Sequence, residues 1–535
     1  MPQPAGSTEK TTATLAKSAG SVSVAVFLSR ILGLVREQVL AGLFGAGTAM
    51  DAFVVAFRIP NLLRDLFAEG ALSSAFVTVF SEYDQQKGKK EAWRLANNVF
   101  TALTIIISII IILGIAFSED LVRLMAPDYA LVPGKLELTT RLTSIMFPFL
   151  LLVSQAALLM GILNARGHFF IPALASSCFN FSSIIIGGGL ALLFPKWQIE
   201  AIYGMAIGTL LGGFAQLLIQ LPSAKKEGLI FRPRLDLACP GLRKIGRLIV
   251  PAIVGLSATQ INIFVNTNFA SQCSEGSVAW LNYAFRLIMF PIGLFGVALA
   301  VATLPVAAKQ AAQKELKQLG DTIVSSLTLA FALTLPAAVG LWILAEPIIK
   351  VIFEHGRFTG FDTLMTAQAL KFYAIGLMAY SAVKIIVPIY YALNDTRWPV
   401  IGSFATVAIN IVFILITLDL LQHKAIALAT SISMMFNFAM LAAILYKKIG
   451  GFKIQKLLIS LLKAGIASTV MAVGLMFTLI KASKYELLDS TWSIVAFLAI
   501  MIPVGALIYG ISIYMLKVPE LNLLLNQLIH KIKSG

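Results

Sequence analysis

Charged residues are scarce in this chain of 535 residues: Asp, Glu, Lys and Arg make up 13% of it, whereas 58% is hydrophobic. A soluble protein of this length carries far more charge, so the composition excludes a sizeable soluble domain. The net charge of +16 would favour a nucleic-acid partner in a soluble protein. Here the positive charge collects between apolar runs, as it does in membrane proteins, and we expect no nucleic-acid binding.

Residues that hold metals or form disulfides are also few. The three cysteines, Cys178, Cys239 and Cys273, are isolated and lack metal-ligand spacing, and we interpret them as unpaired and structural. The four histidines are scattered near segment ends. No Gly-rich loop ends in Gly-Lys-Ser or Gly-Lys-Thr, which excludes a P-loop ATPase. We therefore expect no metal site and no bound cofactor.

Apolar runs of about 20 residues, the length that spans a bilayer, recur from one end of the chain to the other. They predict an all-α polytopic membrane protein with about fourteen transmembrane helices. The first apolar run has no convincing cleavage site, so we expect a retained helix instead of a signal peptide. The fourteen predicted spans are 20–44, 50–80, 96–117, 141–164, 170–194, 199–221, 245–271, 277–307, 322–345, 365–392, 399–418, 425–446, 457–480 and 491–516.

Lysine and arginine are unevenly divided between the loops. An even number of spans puts both termini on one side, and if that side is the cytoplasm, the inner loops hold most of the basic residues. The outer loops then hold a sparse set, which includes Arg123, Lys135, Lys196 and Lys350. The inner set includes Lys87, Lys89, Lys90, Arg94, Lys225, Lys226, Arg232, Arg234, Arg243, Lys447, Lys448, Lys453 and Lys456. This asymmetry predicts that both termini are cytoplasmic.

The two halves of the chain resemble each other. A shift of 228 residues places Ala56-Phe57-Arg58 on Ala284-Phe285-Arg286. We predict two six-helix lobes in a pseudo-two-fold repeat around a central cavity, plus two extra C-terminal helices. The expected domains are a disordered cytoplasmic N-terminus (1–16), an N-lobe of helices one to six (17–221), a cytoplasmic loop between the lobes (222–244), a C-lobe of helices seven to twelve (245–446), helices thirteen and fourteen (447–516) and a cytoplasmic tail (517–535).

Several charges interrupt the first two predicted spans, which meet at the Gly-rich turn Gly42–Gly47. A charge at the bilayer centre costs roughly 2.5–3.5 kcal/mol, so these side chains must be hidden from lipid. At about 100° per residue, Asp51, Arg58, Asp65 and Glu69 fall on one stripe of a helix. We interpret the charges as the wall of a watery cavity; the alternative is that some lie near helix ends and snorkel to the headgroups. The charged candidates are Arg30, Arg36, Glu37, Asp51, Arg58, Arg64 and Glu69, with Arg286 in the second half.

Arginines that converge on one cavity suit a multiply charged anion. The guanidinium fork pairs bidentately with phosphate oxygens, so a diphosphate is the natural ligand. The acidic residues would serve as counter-charges and gate partners in the empty state, because unpaired buried arginines would otherwise repel each other.

These residues carry a resemblance to a known family. The run SRILGLVREQVLAGLFGAG, continuing through VAFRIPNLLRDLFAEGALSSAFVTVF, resembles the amino-terminal signature of the MurJ (MviN) lipid II flippases of the multidrug/oligosaccharidyl-lipid/polysaccharide exporter superfamily. The resemblance continues through GSVAWLNYAFRLIMFPIGLFGVALA and ALNDTRWP, and so covers essentially the whole chain. Drug exporters of the superfamily lack this arginine pattern.

The resemblance assigns roles to particular residues. It implies a triad of cavity arginines, Arg36, Arg64 and Arg286, with Arg30 as a further ligand of the diphosphate. It also relates Asp51 to an acidic residue at the start of helix two and Arg58 to a basic position of the family. From the charges themselves we expect supporting or gating roles for Glu37, Asp51, Arg58 and Glu69. Glu37 stands where the family more often has Asp, and Asp65 stands where some members have a second basic residue.

The function implied by the resemblance is translocation of lipid II from the inner to the outer leaflet of the bacterial inner membrane by alternating access. Lipid II is undecaprenyl-diphosphate carrying the disaccharide-pentapeptide of peptidoglycan. The resemblance further implies a groove for the lipid tail bordered by helices thirteen and fourteen, and energy from the membrane potential or from a gradient of Na⁺ or H⁺. The expected partners are lipid II, membrane lipids and the cell-wall synthesis or division machinery, and we expect a monomer.

Three alternatives stay open at this point. The first is an exporter of another polyprenyl-diphosphate-linked glycan or of drugs, although an exporter of organic cations would line its cavity with carboxylates and aromatic rings. The second is a membrane enzyme that acts on polyprenyl phosphates, which would need paired acids in a loop. The third is a structural scaffold of the division machinery, which would not need charge inside the membrane. The loop cluster relevant to the second is Glu346, Glu354, His355, Arg357 and Asp362.

Overall fold

The computed structural model describes residues 5–66, 71–485, 488, 490–518 and 521. These residues form helices joined by short turns, and no β-strand occurs among them. The helices of the first part of the chain are α1 (Ala5–Phe44), α2 (Thr48–Arg64), α3 (Ala71–Gln86), α4 (Lys89–Ala116), α5 (Ser118–Met125), α6 (Lys135–Met146), α7 (Phe149–Ala165), α8 (Phe170–Ser182), α9 (Gly188–Leu193), α10 (Ile202–Leu218), α11 (Leu221–Lys226) and α12 (Pro240–Ser271).

The second part of the chain continues in the same way, with longer uninterrupted helices. Its helices are α13 (Ser277–Pro291), α14 (Ala298–Ala312), α15 (Leu316–Phe353), α16 (Gly360–Ile375), α17 (Leu377–Ala392), α18 (Arg397–Leu421), α19 (His423–Lys448), α20 (Ile454–Lys484) and α21 (Thr491–Met515).

Eleven helical segments of the described chain are long and apolar enough to cross a membrane, or twelve if α16 and α17, which meet at a bend of 46°, form one span. These segments coincide with the third to the fourteenth predicted spans, which confirms an all-α polytopic membrane protein. The other two predicted spans correspond to α1 and to α2 with α3, the segments that carry the charges. The total of fourteen stays a prediction.

Helix α1 is longer than the sequence suggested. It begins at Ala5 and therefore includes most of the sixteen residues that we expected to be disordered. It ends at Phe44, and the chain turns back through Gly45, whose φ of +64° lies in the left-handed region that favours glycine. The predicted Gly-rich turn is thus the connection between α1 and α2.

The chain divides into two compact units, Met1–Gly276 and Ser277–Gly535. The predicted seam at 222–244 lies one helix before this division, and the predicted N-lobe and C-lobe boundaries stay predictions. Helix α12, which lies between the predicted seam and this division, bonds within the first unit: Gln260 donates to Asp65, the residue that follows α2, 3.4 Å away, and Asn268 donates to the carbonyl of Leu124 on α5 at 3.0 Å.

Helix boundaries recur along the chain at a nearly constant interval. The ends of α1 and α12, the starts of α4 and α15, the ends of α7 and α17, and the starts of α8 and α18 are each separated by 227 residues. A break into π-helical turns recurs too, at Asp65–Leu66 and at Ile292–Val297. This interval is within one residue of the predicted shift and supports the internal repeat, which stays a prediction.

The π-helical segments lie where a second helix backbone comes close. A Cβ on Gly208 of α10 would lie 2.3 Å from the Cα of Gly187, the last residue of the π-helical segment Ser183–Gly187. A Cβ on Gly296, within Ile292–Val297, would lie 2.9 Å from the Cα of Ser381 on α17. Both contacts require glycine, since any side chain would push the helices apart.

The long loop before α12 lies along the start of α4. The Asn97 side chain donates to the carbonyl of Ile230 at 3.0 Å and accepts from the backbone N–H of Arg232 at 3.2 Å. The Asn98 side chain makes the same pair of bonds with Asp236, at 2.8 and 2.7 Å. These amides satisfy the loop's peptide groups as a neighbouring strand would. We call residues 229–236 the strap.

Two apolar clusters stabilise the second unit. In one, α15, α17 and α19 pack around Tyr390, whose hydroxyl donates to the carbonyl of Leu441 at 2.8 Å. In the other, α20 and α21 pack against α15, and the hydroxyl of Tyr509 donates to the carbonyl of Ala332 at 2.6 Å. Each buried tyrosine thus has a partner for its polar group, and α20 and α21 are fixed to α15.

Candidate functional site

Arg36 is held in place by an acidic neighbour and by α8. Its Nη2 lies 2.9 Å from Oε1 of Glu37, a residue that is almost fully buried. The guanidinium also lies over the ring of Phe179, 5.4 Å from the centroid, which is a cation–π contact. Asn180 donates to the carbonyl of Ser29 at 3.2 Å and ties α8 to α1. The Arg36 charge is therefore compensated and oriented inside the first unit.

A row of phenylalanines connects this arginine to α2. The rings of Phe53 and Phe57 stack with their centroids 6.4 Å apart. Phe57 contacts Phe149 of α7 at 5.7 Å, and Phe149 contacts Phe179 at 5.6 Å. Because buried aromatic rings pack at fixed distances, this row sets the spacing between the charged segments of α1 and α2.

The charged face of α2 is directed toward α12. Nε and Nη2 of Arg64 donate to Oδ1 of Asp65 at 3.2 and 2.9 Å, and Asp65 also accepts the bond from Gln260. Nearly two helical turns earlier, Arg58 donates to the hydroxyl of Thr267. Gln260 and Thr267 of α12 thus bond to the acid that follows α2 and to α2 itself.

Asp51 forms the most deeply buried ion pair of this region. Its Oδ2 lies 2.9 Å from Nζ of Lys135, and the two side chains are 2% and 5% exposed. The same oxygen accepts the backbone N–H of Gly276 at 2.9 Å, and the ammonium lies 4.2 Å from the ring centroid of Tyr129. A carboxylate this far from water needs such partners, because an unpaired buried charge is very costly.

A second acidic residue, Glu275, forms hydrogen bonds with the first residue of α2. Oε1 of Glu275 accepts from the backbone N–H of Thr48 at 2.6 Å and from its hydroxyl at 2.5 Å. These bonds, from the hydroxyl first and then the backbone, lower the pKa of Glu275 below its usual range. The loop between α12 and α13 is thereby attached to the start of α2.

The other predicted site residues are placed as follows. Arg30 is exposed on α1, and Arg286 is exposed on α13 in the second unit. Glu69 lies outside the described residues. Whether Arg286 serves the same cavity as Arg36 and Arg64 stays a prediction.

Three residues of the site were missed at the level of sequence: Thr48, Lys135 and Glu275. Lys135 was counted as an outer-loop cation, and nothing local distinguishes it from the others. The available signal was Asp51 itself, because a carboxylate within an apolar segment requires a cationic partner. The identity of that partner depends on tertiary contacts.

The loop cluster that could have supported an enzyme has structural roles. Asp362 caps α16 by accepting from the backbone and hydroxyl of Thr359 at 2.9 Å, and it also accepts from Nε1 of Trp280 at 2.9 Å. Glu354 accepts from the hydroxyl of Thr363 at 2.6 Å. Within the described part of the chain, no group of three or more His, Cys, Asp or Glu residues could hold a metal ion.

An apolar groove of about 880 Å³ lies along α20 in the second unit. Its walls come from α20, with Leu335 of α15 and Met378 of α17, and none of the ten lining residues belongs to α21. The lipid-tail groove expected along helices thirteen and fourteen stays a prediction, and this groove borders the first of these two helices. Its lining residues are Leu335, Met378, Leu458, Leu461, Leu462, Gly465, Ile466, Thr469, Val470 and Val473.

Comparison with known sequences gives a family match. The family model described as "Lipid II flippase MurJ" matches residues 40–502. A "Probable lipid II flippase MurJ" of Buchnera aphidicola subsp. Acyrthosiphon pisum is 37% identical over 431 residues, covering 80% of this chain and 83% of that protein. A "Lipid II flippase MurJ" of Burkholderia cenocepacia is 33% identical over 425 residues, covering 79% and 82%.

Comparison with solved structures agrees with the family match. A "Lipid II flippase MurJ, inward closed conformation" is similar with a TM-score of 0.76 and 29% identity, covering 93% of this chain and 98% of the other. An inward-facing multidrug resistance MATE family transporter of the MOP superfamily is similar with a TM-score of 0.66, covering 79% and 94%. Its identity of 15% means that this likeness concerns the fold alone.

Proposed function

Because the chain belongs to the MurJ family of lipid II flippases, we infer that it is a multi-pass membrane transporter that translocates lipid II, and not an enzyme. The observation that carries this is the family match over residues 40–502. Export of drugs or of another glycan is not favoured, since the named relatives are lipid II flippases. Peptidoglycan synthesis is the process that this transport serves.

The arginines provide the chemistry for binding the diphosphate of lipid II. Arg36 and Arg64 each hold the carboxylate that follows them, Glu37 and Asp65. A diphosphate carries more charge than a carboxylate and accepts bidentate bonds from a guanidinium. The proposed binding step is therefore an exchange of partners, in which the phosphate oxygens replace the acidic side chains. Arg30 and Arg286 add further positive charge, and Arg58 and Glu69 support the site.

The acids then return to the arginines when the substrate leaves. This exchange lets the cavity be emptied without leaving buried arginine charges facing each other. Alternating access requires such a step, because a ligand shifts a two-state equilibrium only through its different affinity for the two states. The proposed gate at the start of α2 is Asp51, and its bonds to Lys135 and to the backbone of Gly276 support this role.

The lipid tail remains in an apolar environment during the cycle. The groove along α20 is lined almost entirely by aliphatic side chains and suits an isoprenoid chain, while the sugar–peptide headgroup passes through the hydrated cavity.

The proposed setting is the bacterial inner membrane, with both termini of the chain in the cytoplasm. The protein acts as a monomer and moves lipid II from the inner to the outer leaflet. Coupling to the membrane potential or to a Na⁺ or H⁺ gradient supplies the energy, and the cell-wall synthesis machinery receives the product.

Substitution of arginine by lysine tests the binding chemistry. In vesicles that contain the purified protein and fluorescent lipid II, the unchanged chain should move lipid II between leaflets. Arg36→Lys, Arg64→Lys and Arg286→Lys keep the charge but lose the fork, so each should slow translocation by about tenfold or more.

The matched control is Arg123→Lys, which changes an exposed arginine that pairs with Glu119 on α5. It should leave the rate unchanged. Full activity in all three cavity variants would rule out bidentate recognition, and no translocation by the unchanged chain would contradict the proposed function.

A further inference from the structure

The strap that α4 holds is an extended segment of the first unit. Asn97, Thr101 and Asn98 of α4 bond to the backbone of residues 230, 232, 234 and 236. Every second residue therefore turns its peptide groups toward α4, which is the period of an extended chain. Side chains at odd and even positions then point to opposite faces of the strap.

The two faces of the strap differ in chemistry. The odd positions from 229 to 237 are all apolar, whereas the even positions from 232 to 236 are all charged. The ring of Phe231 meets that of Phe100 on α4 edge to face, 6.5 Å between centroids, yet Phe231 is 57% exposed. Leu235 and Leu237 are exposed as well. Exposed apolar groups beside charged ones suit a boundary between an apolar and a wet region.

Helix α4 places the strap at the edge of the hydrocarbon layer. The side chains that hold it lie between Asn97 and Thr101, about 6 Å of helix, so the strap stays at one depth. The hydrocarbon layer, about 30 Å thick, takes about 20 residues of helix. Counted back from Phe117, just beyond the other end of α4, these residues reach Asn97. The exposed isoleucines of α4 begin one turn beyond the strap, at Ile105. The strap thus lies where headgroups meet acyl chains.

The chain around the strap is strongly basic. Residues 222–250 include seven basic side chains and two acidic ones, Glu227 and Asp236. Glu227 already pairs with Arg166 and His168. Asp236 lies 3.7 Å from Arg234, but the two side chains are 39% and 53% exposed, so water screens this pair. The seven basic residues are Lys225, Lys226, Arg232, Arg234, Arg243, Lys244 and Arg247.

Most of these cations have no acidic partner. Lys244 pairs with Glu82, and Arg243 donates to the carbonyl of Leu237 at 3.1 Å. An anionic membrane surface attracts each lysine or arginine that lies close to it. The cations that are exposed and that pair with no carboxylate among the described residues are Lys225, Lys226, Arg232 and Arg247.

A protein strand fits the strap less well than lipid does. The edge of the strap that faces away from α4 is interrupted at Pro233, which has no N–H to donate. A proline on an exposed edge prevents continuous pairing with a further strand. The depth of the strap and its charge instead match the headgroup layer of a membrane that contains anionic lipid.

We propose that the strap binds the anionic phospholipids of the leaflet in which it lies. Arg232 and Arg234 contact the phosphates, and the exposed apolar side chains of the opposite face lie among the first carbons of the acyl chains. This surface is in the first unit and is separate from the apolar groove along α20. The proposal does not depend on which substrate the protein transports.

Hydrogen exchange of the full chain in nanodiscs tests this proposal. The discs contain phosphatidylcholine alone or phosphatidylcholine mixed with phosphatidylglycerol, and exchange within residues 229–237 is followed by mass spectrometry. The variant R232Q/R234Q removes the two charges of the strap, and R232K/R234K keeps them. The control is R123Q/R141Q, which removes two exposed arginines on α5 and α6. In a second measurement, phosphatidylglycerol with a photoreactive group in its acyl chain labels the protein.

In the unchanged chain and in R123Q/R141Q, exchange within the strap should be about tenfold slower in the phosphatidylglycerol discs than in the phosphatidylcholine discs. R232K/R234K should keep this difference, and R232Q/R234Q should lose it. Photoreactive phosphatidylglycerol should label the strap of the unchanged chain and should label that of R232Q/R234Q much less. Because each variant is compared between two lipids, a strap that is merely loosened would exchange faster in both discs and would keep the difference.

A difference that survives in R232Q/R234Q would therefore overturn the proposal. Equal exchange of the unchanged chain in the two kinds of disc would overturn it too, and would leave an acidic protein as the better occupant of the strap. The readout is binding at the strap and not translocation, so either result leaves the assignment of lipid II transport to be judged by its own test.

Discussion

Asp51 and Lys135 show how one residue constrains another inside an apolar segment. Both side chains are nearly inaccessible to water, and their charged atoms lie 2.9 Å apart. Removing one partner leaves a buried charge without compensation, which typically costs about 3–5 kcal/mol. Asp51→Asn and Lys135→Met should each destabilise the protein by about that amount, whereas the double variant should lose much less than the sum. Unfolding in detergent measures all three, and strictly additive losses would contradict the pairing.

The acids that follow Arg36 and Arg64 lead to a second prediction. If Glu37 and Asp65 compete with the diphosphate for the guanidinium groups, then Glu37→Gln and Asp65→Asn should tighten lipid II binding. The half-buried Arg64–Asp65 pair contributes about 1 kcal/mol, equivalent to about fivefold in affinity, and the more buried Arg36–Glu37 pair should contribute at least as much. Translocation should nevertheless slow, because product release leaves the arginines without compensation.

Equilibrium binding of lipid II to the purified variants is the measurement. Glu119→Gln, which removes the partner of the exposed Arg123, serves as the control and should have no effect. Weaker binding in both acid variants would mean that these carboxylates contact the substrate directly instead of competing with it.

Some residues of the candidate site can be predicted from the sequence, and others cannot. Arg36, Asp51 and Arg64 stand out because a charge within an apolar run is costly. Lys135 does not stand out, because it lies at the first residue of a helix and looks like any loop lysine. The contacts of Glu275 with Thr48 join residues 227 positions apart, and no local pattern contains that information.

Among the connecting elements, the strap along α4 makes a prediction about local order. Asn97 and Asn98 hold residues 230–236 through four hydrogen bonds, each of which contributes about 1 kcal/mol. Asn97→Leu with Asn98→Leu should therefore raise hydrogen exchange within the strap by tenfold or more, on this order-of-magnitude basis, while the core of α4 stays protected. Thr417→Val, which affects only a bond within α18, should leave the strap unchanged. Unaltered exchange in the asparagine variant would contradict this role.

The connection between α2 and the loop before α13 should depend on pH. The pKa of Glu275 is lowered by its bonds from Thr48, so the carboxylate form stabilises the fold. This contribution is complete above the ordinary value of 4.5 and is lost as the pH falls through the lowered pKa. The unchanged chain should be more stable than Glu275→Gln at neutral pH, and the difference should shrink below about pH 4.

The measurement is the unfolding midpoint of the unchanged chain and of Glu275→Gln from neutral pH to below pH 4. The difference between them isolates Glu275, because the other carboxylates titrate equally in both proteins. A difference that stays constant from neutral to acidic pH would show that the Glu275 charge is not involved.

Helices were the most predictable elements, because twelve long apolar runs need no tertiary information to be found. The π-helical segments could not be predicted, since they depend on the approach of α10 to Gly187 and of α17 to Gly296. The strap was predicted only as a loop, because its order comes from side chains of α4 that lie more than a hundred residues earlier.

At the scale of the whole molecule, the internal repeat can be recognised from the sequence, whereas the division into two units depends on contacts between helices. The repeat interval of 227 residues between helix ends reflects sequence, and short matches were enough to predict a shift of 228. The division at Gly276 reflects contacts, and α12 joins the first unit through Gln260, Thr267 and Asn268. Sequence composition placed the seam at the basic loop before α12, because a charged loop is conspicuous and a packing preference is not.

Transport of lipid II is the central claim, and depletion of the protein in its own cells tests it most directly. The measurement is the distribution of lipid II between the two leaflets of the inner membrane in cells that have no other flippase. Our account predicts that lipid II accumulates in the inner leaflet on depletion and that the unchanged chain, but not a variant with Arg36, Arg64 and Arg286 replaced by Gln, restores the outer pool. A normal distribution in depleted cells would contradict it.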